Sequence, residues 1–241
     1  MNNQDGIGSS PPAPQHPAHV TALRPVRGAA RCAVGALLLA ALAWVARAVW
    51  EIRLAMAGEP ASGPPDQGEG VHRPLTALED SYHLVTTVGG VAALVCAVAF
   101  LSWLWRVRDN GTALSGAAPR YAGYWVYLGW IVPIVNLWVP RGLVADVWQA
   151  TAPGRRAPLS LNVWWGLWLV GMLSGVGLLY TDSKDEVIER AYTEPWPLLA
   201  SDAVIVGAAV AAVFLVRAVT AAQSEWAGQT PDGGLRVAAT S

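Results

Sequence analysis

The chain has 241 residues, of which 54% are hydrophobic and 14% are charged, and its formal net charge is −1. Soluble domains carry about 25% charged residues, so this chain has too few polar groups to cover a water-facing globule of its size. The near-neutral charge also excludes the basic footprint of a nucleic-acid-binding protein. The composition therefore predicts an integral membrane protein.

Four long apolar runs predict an all-α membrane protein with four transmembrane helices. Each run is close to the roughly 20 residues that a helix needs to cross a hydrocarbon core of about 30 Å. The predicted spans are about residues 32–50, 84–105, 161–180 and 198–219. They lie in a polytopic domain, residues 24–222, between a Pro-rich tail expected to be disordered, residues 1–23, and a flexible C-terminal tail, residues 223–241.

Charges alternate between the loops. Arginines cluster before the first span, in residues 105–160 and at the end of the last span, whereas loops 51–83 and 181–197 are mainly acidic. Because basic loops mark the cytoplasmic side, the pattern predicts a multi-pass cell-membrane protein with both termini in the cytoplasm. A signal peptide cleaved after Ala48 is an alternative, but the apolar character continues through Trp50.

A fifth apolar run, residues 121–139, decides the topology. It is interrupted by Pro133 and contains Asn136. At about 1.5 Å per residue it would just cross the hydrocarbon core, so five spans are an alternative. The arginines that follow it favour a re-entrant or interfacial segment, because a full crossing would place them outside and reverse every later loop.

The break at Pro133 is the first candidate for a functional site. Proline removes an amide from the helix and frees a carbonyl one turn earlier, and Asn136 offers a side chain to exposed backbone groups. Inside a membrane, such irregular backbone is tolerated only where it is buried in protein or lines a wet cavity. The alternative is that Pro133 and Pro140 only shape a turn while nearby aromatic residues, among them Trp130, form an interfacial belt.

Residues 141–150 predict a short amphipathic helix at the membrane interface. Its Arg141, together with Arg155 and Arg156, is expected to contact anionic lipid headgroups, at about 1 kcal/mol for each basic residue near the surface. The alternative is a simple anchor for a cytoplasmic loop.

Two ionisable residues, Arg47 and Asp202, fall at similar depth inside the first and last spans, and we expect them to form an intramembrane ion pair. The alternative for Arg47 is a partnership with Glu51 one turn later. Gly171 and Gly175 form a G-x-x-x-G pattern that predicts close helix packing. The histidines have no metal-site spacing, and neither a metal nor another cofactor is expected.

Three sequence blocks carry a resemblance to a known family. They are FLSWLWRVRDN at 100–110, GWIVPIVNLWVPRGLVADVWQATAP at 129–153 and NVWWGLWL at 162–169. In this order they resemble an actinobacterial membrane family called domain of unknown function 4328, over roughly residues 24–220. The positions that match the family pattern or its usual charges are Arg106, Asn110, Trp130, Pro133, Asn136, Pro140, Arg141, Asp146, Trp148, Trp164, Trp165 and Trp168. The resemblance implies a bacterial inner-membrane protein and brings no activity with it.

Two kinds of function remain open. The first is a non-enzymatic regulatory or scaffolding protein, whose partners beyond the lipid bilayer would be a second copy or a cytoplasmic protein. The second is a small transporter or channel subunit built around the broken helix, which predicts a polar path joining Arg106, Asn110, Asn136 and Asp146. An enzyme is not expected, because the predicted spans contain no visible nucleophile and base.

Overall fold

The structure, a computed structural model, describes residues 23–173 and 184–229. Within these ranges the regular secondary structure is helical. The helices are α1 (Val26–Ala57), α2 (Ala77–Ser115), α3 (Trp125–Ile131), α4 (Val139–Thr151), α5 (Leu159–Leu173), α6 (Lys184–Thr193) and α7 (Pro195–Gln229). A short 3-10 turn, Val135–Leu137, separates α3 from α4. The predicted all-α class agrees with this architecture.

Three helices are long and apolar enough to cross a membrane by length and composition: α1, α2 and residues Pro195–Trp226 of α7. Their outer faces carry exposed leucines and valines, such as Leu42 and Leu94, which are 64% and 67% exposed. Such a surface suits lipid better than water. The predicted third span, 161–180, begins in α5, whose described part has 15 residues; its remainder lies outside the described residues.

α1 runs antiparallel to α2, because Arg24 just before α1 contacts Asn110 near the end of α2 and Glu51 near the end of α1 contacts Tyr82 near the start of α2. α1 packs against both α2 and α7, and α5 packs against α7. One end of this bundle carries α6 and the loop between α1 and α2, and is called the α6 end below. The other end carries α3 and α4, and is called the α4 end. A large core cluster reaches the α4 end, and a smaller one around Leu54, Tyr82 and Ile188 lies at the α6 end.

The ends of α2 show why this helix is so well defined. At its start Thr76 and Glu79 form a capping box, in which the Thr76 hydroxyl accepts from the Glu79 amide at 3.3 Å and the Glu79 carboxylate accepts from the Thr76 amide at 2.7 Å. At its end Gly116 adopts a left-handed conformation with φ +64°, which a glycine takes without strain. The helix between these two signals has 39 residues.

The last helix continues beyond the expected boundary of the C-terminal tail at residue 223. α7 runs to Gln229, and its turn at Ala222 and Gln223 still packs on the bundle. The Gln223 side chain is buried and its amide nitrogen donates to the Val107 carbonyl at 2.6 Å. The residues before 23 and after 229, to which the tail predictions mainly refer, lie outside the described residues.

Candidate functional site

The segment between α2 and α5 is folded as a compact unit at the α4 end. α3 has seven residues, about 10 Å of helix, so it is too short to cross a hydrocarbon core by itself. The backbone turns at Pro133: the Val132 amide donates to Leu128 at 3.1 Å, and the next helical bond available comes from Asn136 to Val132 at 2.8 Å. The predicted break of the helix at Pro133 therefore appears as an actual reversal of the chain into α4.

Close backbone packing fixes this reversal. A Cβ atom built on Gly129 of α3 would lie 2.9 Å from Val139 Cγ1 at the start of α4. A Cβ on Gly142 of α4 would overlap the hydroxyl of Tyr121. The two glycines thus let α3, α4 and the segment before α3 approach each other more closely than residues with side chains would.

An aromatic cluster, consisting of Phe100, Trp103, Trp130, Trp164, Trp165 and Trp168, connects this unit to α2 and α5. Trp130 of α3 is central, with ring centroids 5.9 Å from Phe100, 6.1 Å from Trp164 and 5.8 Å from Trp168. The pairs of Trp130 with Phe100 and with Trp168 are edge-to-face, and pairs of this kind contribute about 0.5–1.5 kcal/mol each beyond their buried area. The cluster therefore holds α3 against α2 and α5.

Asn136 lies at the break, is 5% exposed and donates to the Met172 sulfur at 3.3 Å. Its Oδ1 and the indole nitrogens of Trp130 and Trp168 are buried without a hydrogen-bond partner among the described residues. On the outside of the turn, Ile131 is 72% exposed. The break thus combines an apolar outer surface with polar atoms inside the protein packing.

The amphipathic helix α4 places its apolar face in protein. Leu143, Val144, Val147 and Trp148 are buried, and α4 packs against α2, α5 and α7. This differs from the expected interfacial helix, whose apolar face would enter lipid; the reason is that the reversal at Pro133 turns α4 back onto the bundle. Pro140 lies in its first turn, where a missing amide costs nothing.

Polar contacts fix the other face of α4. Arg141 donates to the Asn162 side-chain oxygen at 2.7 and 3.2 Å, and Asp146 accepts from the Arg120 amide at 3.0 Å. Gln149 is exposed. The surface of this unit is therefore held in one shape by contacts to α5 and to the segment before α3.

A cavity of about 260 Å³ opens between the end of α2 and α4. Its walls include Arg108, Thr112, Asp146 and Gln149, so one basic and one acidic group face it. The Arg108 guanidinium donates to the Tyr121 carbonyl at 2.7 Å, while its buried Nε has no hydrogen-bond partner within the described ranges. The cavity is preformed and of mixed polarity.

Arg106 and Asn110, two of the predicted site residues, form hydrogen bonds with the segment just before α1 and not with the unit at the α4 end. The Asn110 side chain exchanges two hydrogen bonds of 2.9 Å with the backbone of Arg24, just before α1. Arg106 approaches the Pro25 carbonyl at 3.5 Å. These two residues therefore attach the start of α1 to α2.

Two of the three basic residues expected to meet lipid, Arg155 and Arg156, lie after α4. The Arg155 side chain is 61% exposed and pairs with Glu225 at 3.1 Å, and its carbonyl accepts from the Trp148 indole at 3.3 Å. Arg156 is exposed. Lipid binding by Arg141, Arg155 and Arg156 stays a prediction.

The expected partners Arg47 and Asp202 lie in contact inside the bundle. Arg47 Nε is 3.9 Å from Asp202 Oδ1 and 2.8 Å from Glu51 Oε1, so the interactions weighed as alternatives are both present. Tyr82, which no sequence pattern pointed to, donates to the same Glu51 oxygen at 3.0 Å.

Gly171 supports helix packing within the chain. A Cβ atom there would overlap Ile205 of α7 and would lie 3.7 Å from Val204, so the glycine lets α5 and α7 approach closely. Its predicted companion Gly175 lies outside the described residues.

At the α6 end, a second polar cluster was missed by the sequence reasoning. Arg73 in the loop after α1 makes two bonds to the Glu79 carboxylate, at 2.6 and 2.9 Å, and the Tyr192 hydroxyl of α6 donates to Glu79 at 3.1 Å. Burial, together with the charge of Glu79, raises the pKa of Tyr192 to about 12. His72 contacts Asp185 of α6 at 2.8 Å. The T-x-x-E capping pattern at Thr76 was the one available signal for this cluster.

Three long apolar helices with exposed leucines and valines on their outer faces are compatible with a multi-pass helical membrane protein. Within the described ranges, no group of three or more His, Cys, Asp or Glu side chains is placed to hold a metal ion.

The chain belongs to the family described as domain of unknown function DUF4328, whose family model matches residues 72–221, more than half of the chain. The match begins just before α2 and ends within α7, so α1 lies outside it, whereas the resemblance was expected from residue 24. Among curated proteins and among solved structures no significant match was found.

Proposed function

We propose that this protein is a non-enzymatic, four-span membrane protein that regulates or scaffolds a cytoplasmic protein partner through the folded unit at its α4 end. In this arrangement α5 is the third span and both termini are cytoplasmic. The basic character of residues 105–160, compared with the acidic loops at the α6 end, supports this orientation.

The observation that carries the proposal is the preformed surface of the unit. α4 buries its apolar face, and its polar edge is fixed by the bonds of Arg141 and Asp146. A partner that docks there therefore does not have to order a flexible loop, which lowers the entropic cost of binding. The cavity beside Arg108 and Asp146 offers charges of both signs to a polar segment of that partner.

A transporter or channel subunit is the alternative, and it needs a continuous polar path. Each of the polar residues expected on such a path has a separate local contact: Asn110 with Arg24, Asn136 with Met172, and Asp146 with Arg120. These contacts support structural roles for the three residues, and we therefore favour the scaffold.

Site-directed cysteine labelling tests the orientation. The native cysteines, Cys32 and Cys96, are free and are replaced by serine to give a silent background. In intact cells, a membrane-impermeant maleimide should label Ser62→Cys in the α6-end loop and should label Ala118→Cys only after the membrane is opened. Labelling of Ala118→Cys from outside would overturn the proposed orientation.

Photo-crosslinking tests the docking surface. A photoreactive residue at Gln149, which lines the cavity, should give one discrete protein adduct in cells, and the matched position Leu94 on the lipid-suited face should give none. Filling the cavity by Ala118→Trp should remove the adduct while the helix content of the purified protein stays unchanged. An adduct that survives this substitution, or the same adduct from both positions, would refute docking at the cavity. Solute flux through purified protein in proteoliposomes would favour the transporter instead.

A further inference from the structure

Three helices meet at a buried polar cluster near the α6 end, made of Arg47 and Glu51 of α1, Tyr82 of α2 and Asp202 of α7. Glu51 and Tyr82 are fully buried and Asp202 is 1% exposed, while the Arg47 side chain is 16% exposed. A single nitrogen, Arg47 Nε, lies within 4 Å of both carboxyl groups. The two acids therefore share one cationic partner.

The charges of this cluster do not balance. Two ionised carboxylates and one guanidinium carry a net charge of −1 in a place nearly closed to water, where an uncompensated charge is strongly destabilising. Among the described residues, the charged groups that act on Asp202 are Arg47 and Glu51. α6 packs across the same end, but its Asp185 pairs with His72 and its Tyr192 with Glu79.

The oxygen atoms show the same imbalance. Glu51 Oε1 accepts from both Arg47 and Tyr82. Glu51 Oε2 and both carboxyl oxygens of Asp202 accept no hydrogen bond among the described residues, although all are buried. Two ionised carboxylates can only accept hydrogen bonds, so neither can supply the hydrogen bond that the other lacks. A proton on either one turns an acceptor into a donor.

We propose that Glu51 and Asp202 form a binding site for one proton. One carboxyl group holds the proton and donates a hydrogen bond through it to the other carboxylate. The pair then carries a single negative charge, which Arg47 neutralises. The proton comes from the aqueous phase past the partly exposed Arg47 side chain and returns by the same way. No bond other than O–H forms or breaks.

A proton fits this site better than a metal cation. Hard cations such as Ca²⁺ require a shell of six or more oxygen ligands, and the site offers three free oxygens beside a guanidinium that repels a second cation. A proton needs only two facing oxygens. The site is independent of the docking surface, since it lies at the opposite end of the bundle.

The proposal gives stability a defined dependence on pH. The folded chain keeps a proton that free carboxylic acids, with pKa values of about 4, release in the unfolded chain. Folding is then favoured at pH values where only the folded state binds this proton, and this contribution is lost as the pH rises and the site releases it. Loss of the proton leaves two negative charges facing each other across α1 and α7.

Infrared difference spectroscopy of the full chain in lipid nanodiscs tests the site. On raising the pH, the wild type should lose the carbonyl band of a protonated carboxylic acid, and the band should shift in D₂O. Asp202→Asn and Glu51→Gln should each remove the band, because a single acid then pairs with Arg47 and stays ionised. The matched control Asp80→Asn changes an exposed acid at the start of α2 and should leave the band unchanged.

Two results would overturn the proposal. The first is a wild type that shows no protonated-acid band at any pH at which its helix content is retained. The second is a band that disappears at constant pH when sodium chloride replaces choline chloride, since the site would then take an alkali cation. If Asp202→Asn does not fold, the wild-type titration and Glu51→Gln still decide between these outcomes.

Discussion

Replacing Arg73 by alanine should strongly destabilise the α6 end. The Arg73 side chain is 7% exposed and its partner Glu79 is fully buried, so the substitution leaves a buried carboxylate without its cation. Removing one member of a buried pair costs about 3–5 kcal/mol. Glu79 still accepts hydrogen bonds from the Thr76 amide at 2.7 Å and the Tyr192 hydroxyl at 3.1 Å. The expected loss of unfolding free energy therefore lies near the lower limit, about 3 kcal/mol.

The same chain offers a matched control. Arg155 and Glu225 form an ion pair of similar length, 3.1 Å, but their side chains are 61% and 58% exposed. Arg155→Ala should therefore cost no more than about 1 kcal/mol. Both variants are compared with the wild type by reversible unfolding in mixed detergent micelles, followed by circular dichroism. Equal costs for Arg73→Ala and Arg155→Ala would refute the argument that burial decides the strength of these pairs.

Three further predictions concern packing and ionisation. Gly129→Ala should destabilise the protein by about 1–3 kcal/mol, because the added Cβ would press on Val139. The control Gly166→Ala, whose Cβ would meet nothing within 4 Å, should be neutral or stabilise the protein by up to about 1 kcal/mol. The same unfolding assay measures both variants, and equal effects would contradict the packing argument. Trp103→Ala, at a fully buried ring, should cost about 3–5 kcal/mol, and a loss below about 1 kcal/mol would be inconsistent with its burial in the core. An ultraviolet titration should show a tyrosine that ionises near pH 12 and that Tyr192→Phe removes. Because the pKa of Tyr192 in the folded protein is raised above the usual value of about 10, its stabilising contribution is complete below about pH 10 and is lost as the pH rises through 12. An unchanged titration curve in the variant would contradict the assignment.

Features that depend on local chemistry were accessible from the sequence. The break at Pro133 follows from a missing amide, and the resemblance to the family rested on blocks around Trp130 and Trp164. The contact between Arg47 and Asp202 could be anticipated, because an ionised side chain within an apolar helix is costly unless an opposite charge lies at the same depth. In each case the signal lies in a few residues or in their depth along an apolar run.

Features that depend on how helices face one another could not be predicted. The amphipathic pattern of α4 is the same whether its apolar face meets lipid or protein, and only the reversal before it selects protein. The part played by Tyr82 depends on the rotation of α2 about its axis. The bond from Gln223 to Val107 joins residues 116 positions apart, and a polar residue beyond an apolar run is more often solvated.

The length of α2 has a consequence for where the protein can be reached. Its 39 residues extend over about 58 Å, whereas a bilayer with its headgroups is about 40–45 Å thick. A helix of this length that crosses a bilayer is longer than the membrane is thick, so at least one of its ends projects into water even when the helix is moderately tilted. The loop at one end of α2 or the α4 unit at the other is thus raised toward the aqueous phase, where a water-soluble molecule can approach it without entering lipid.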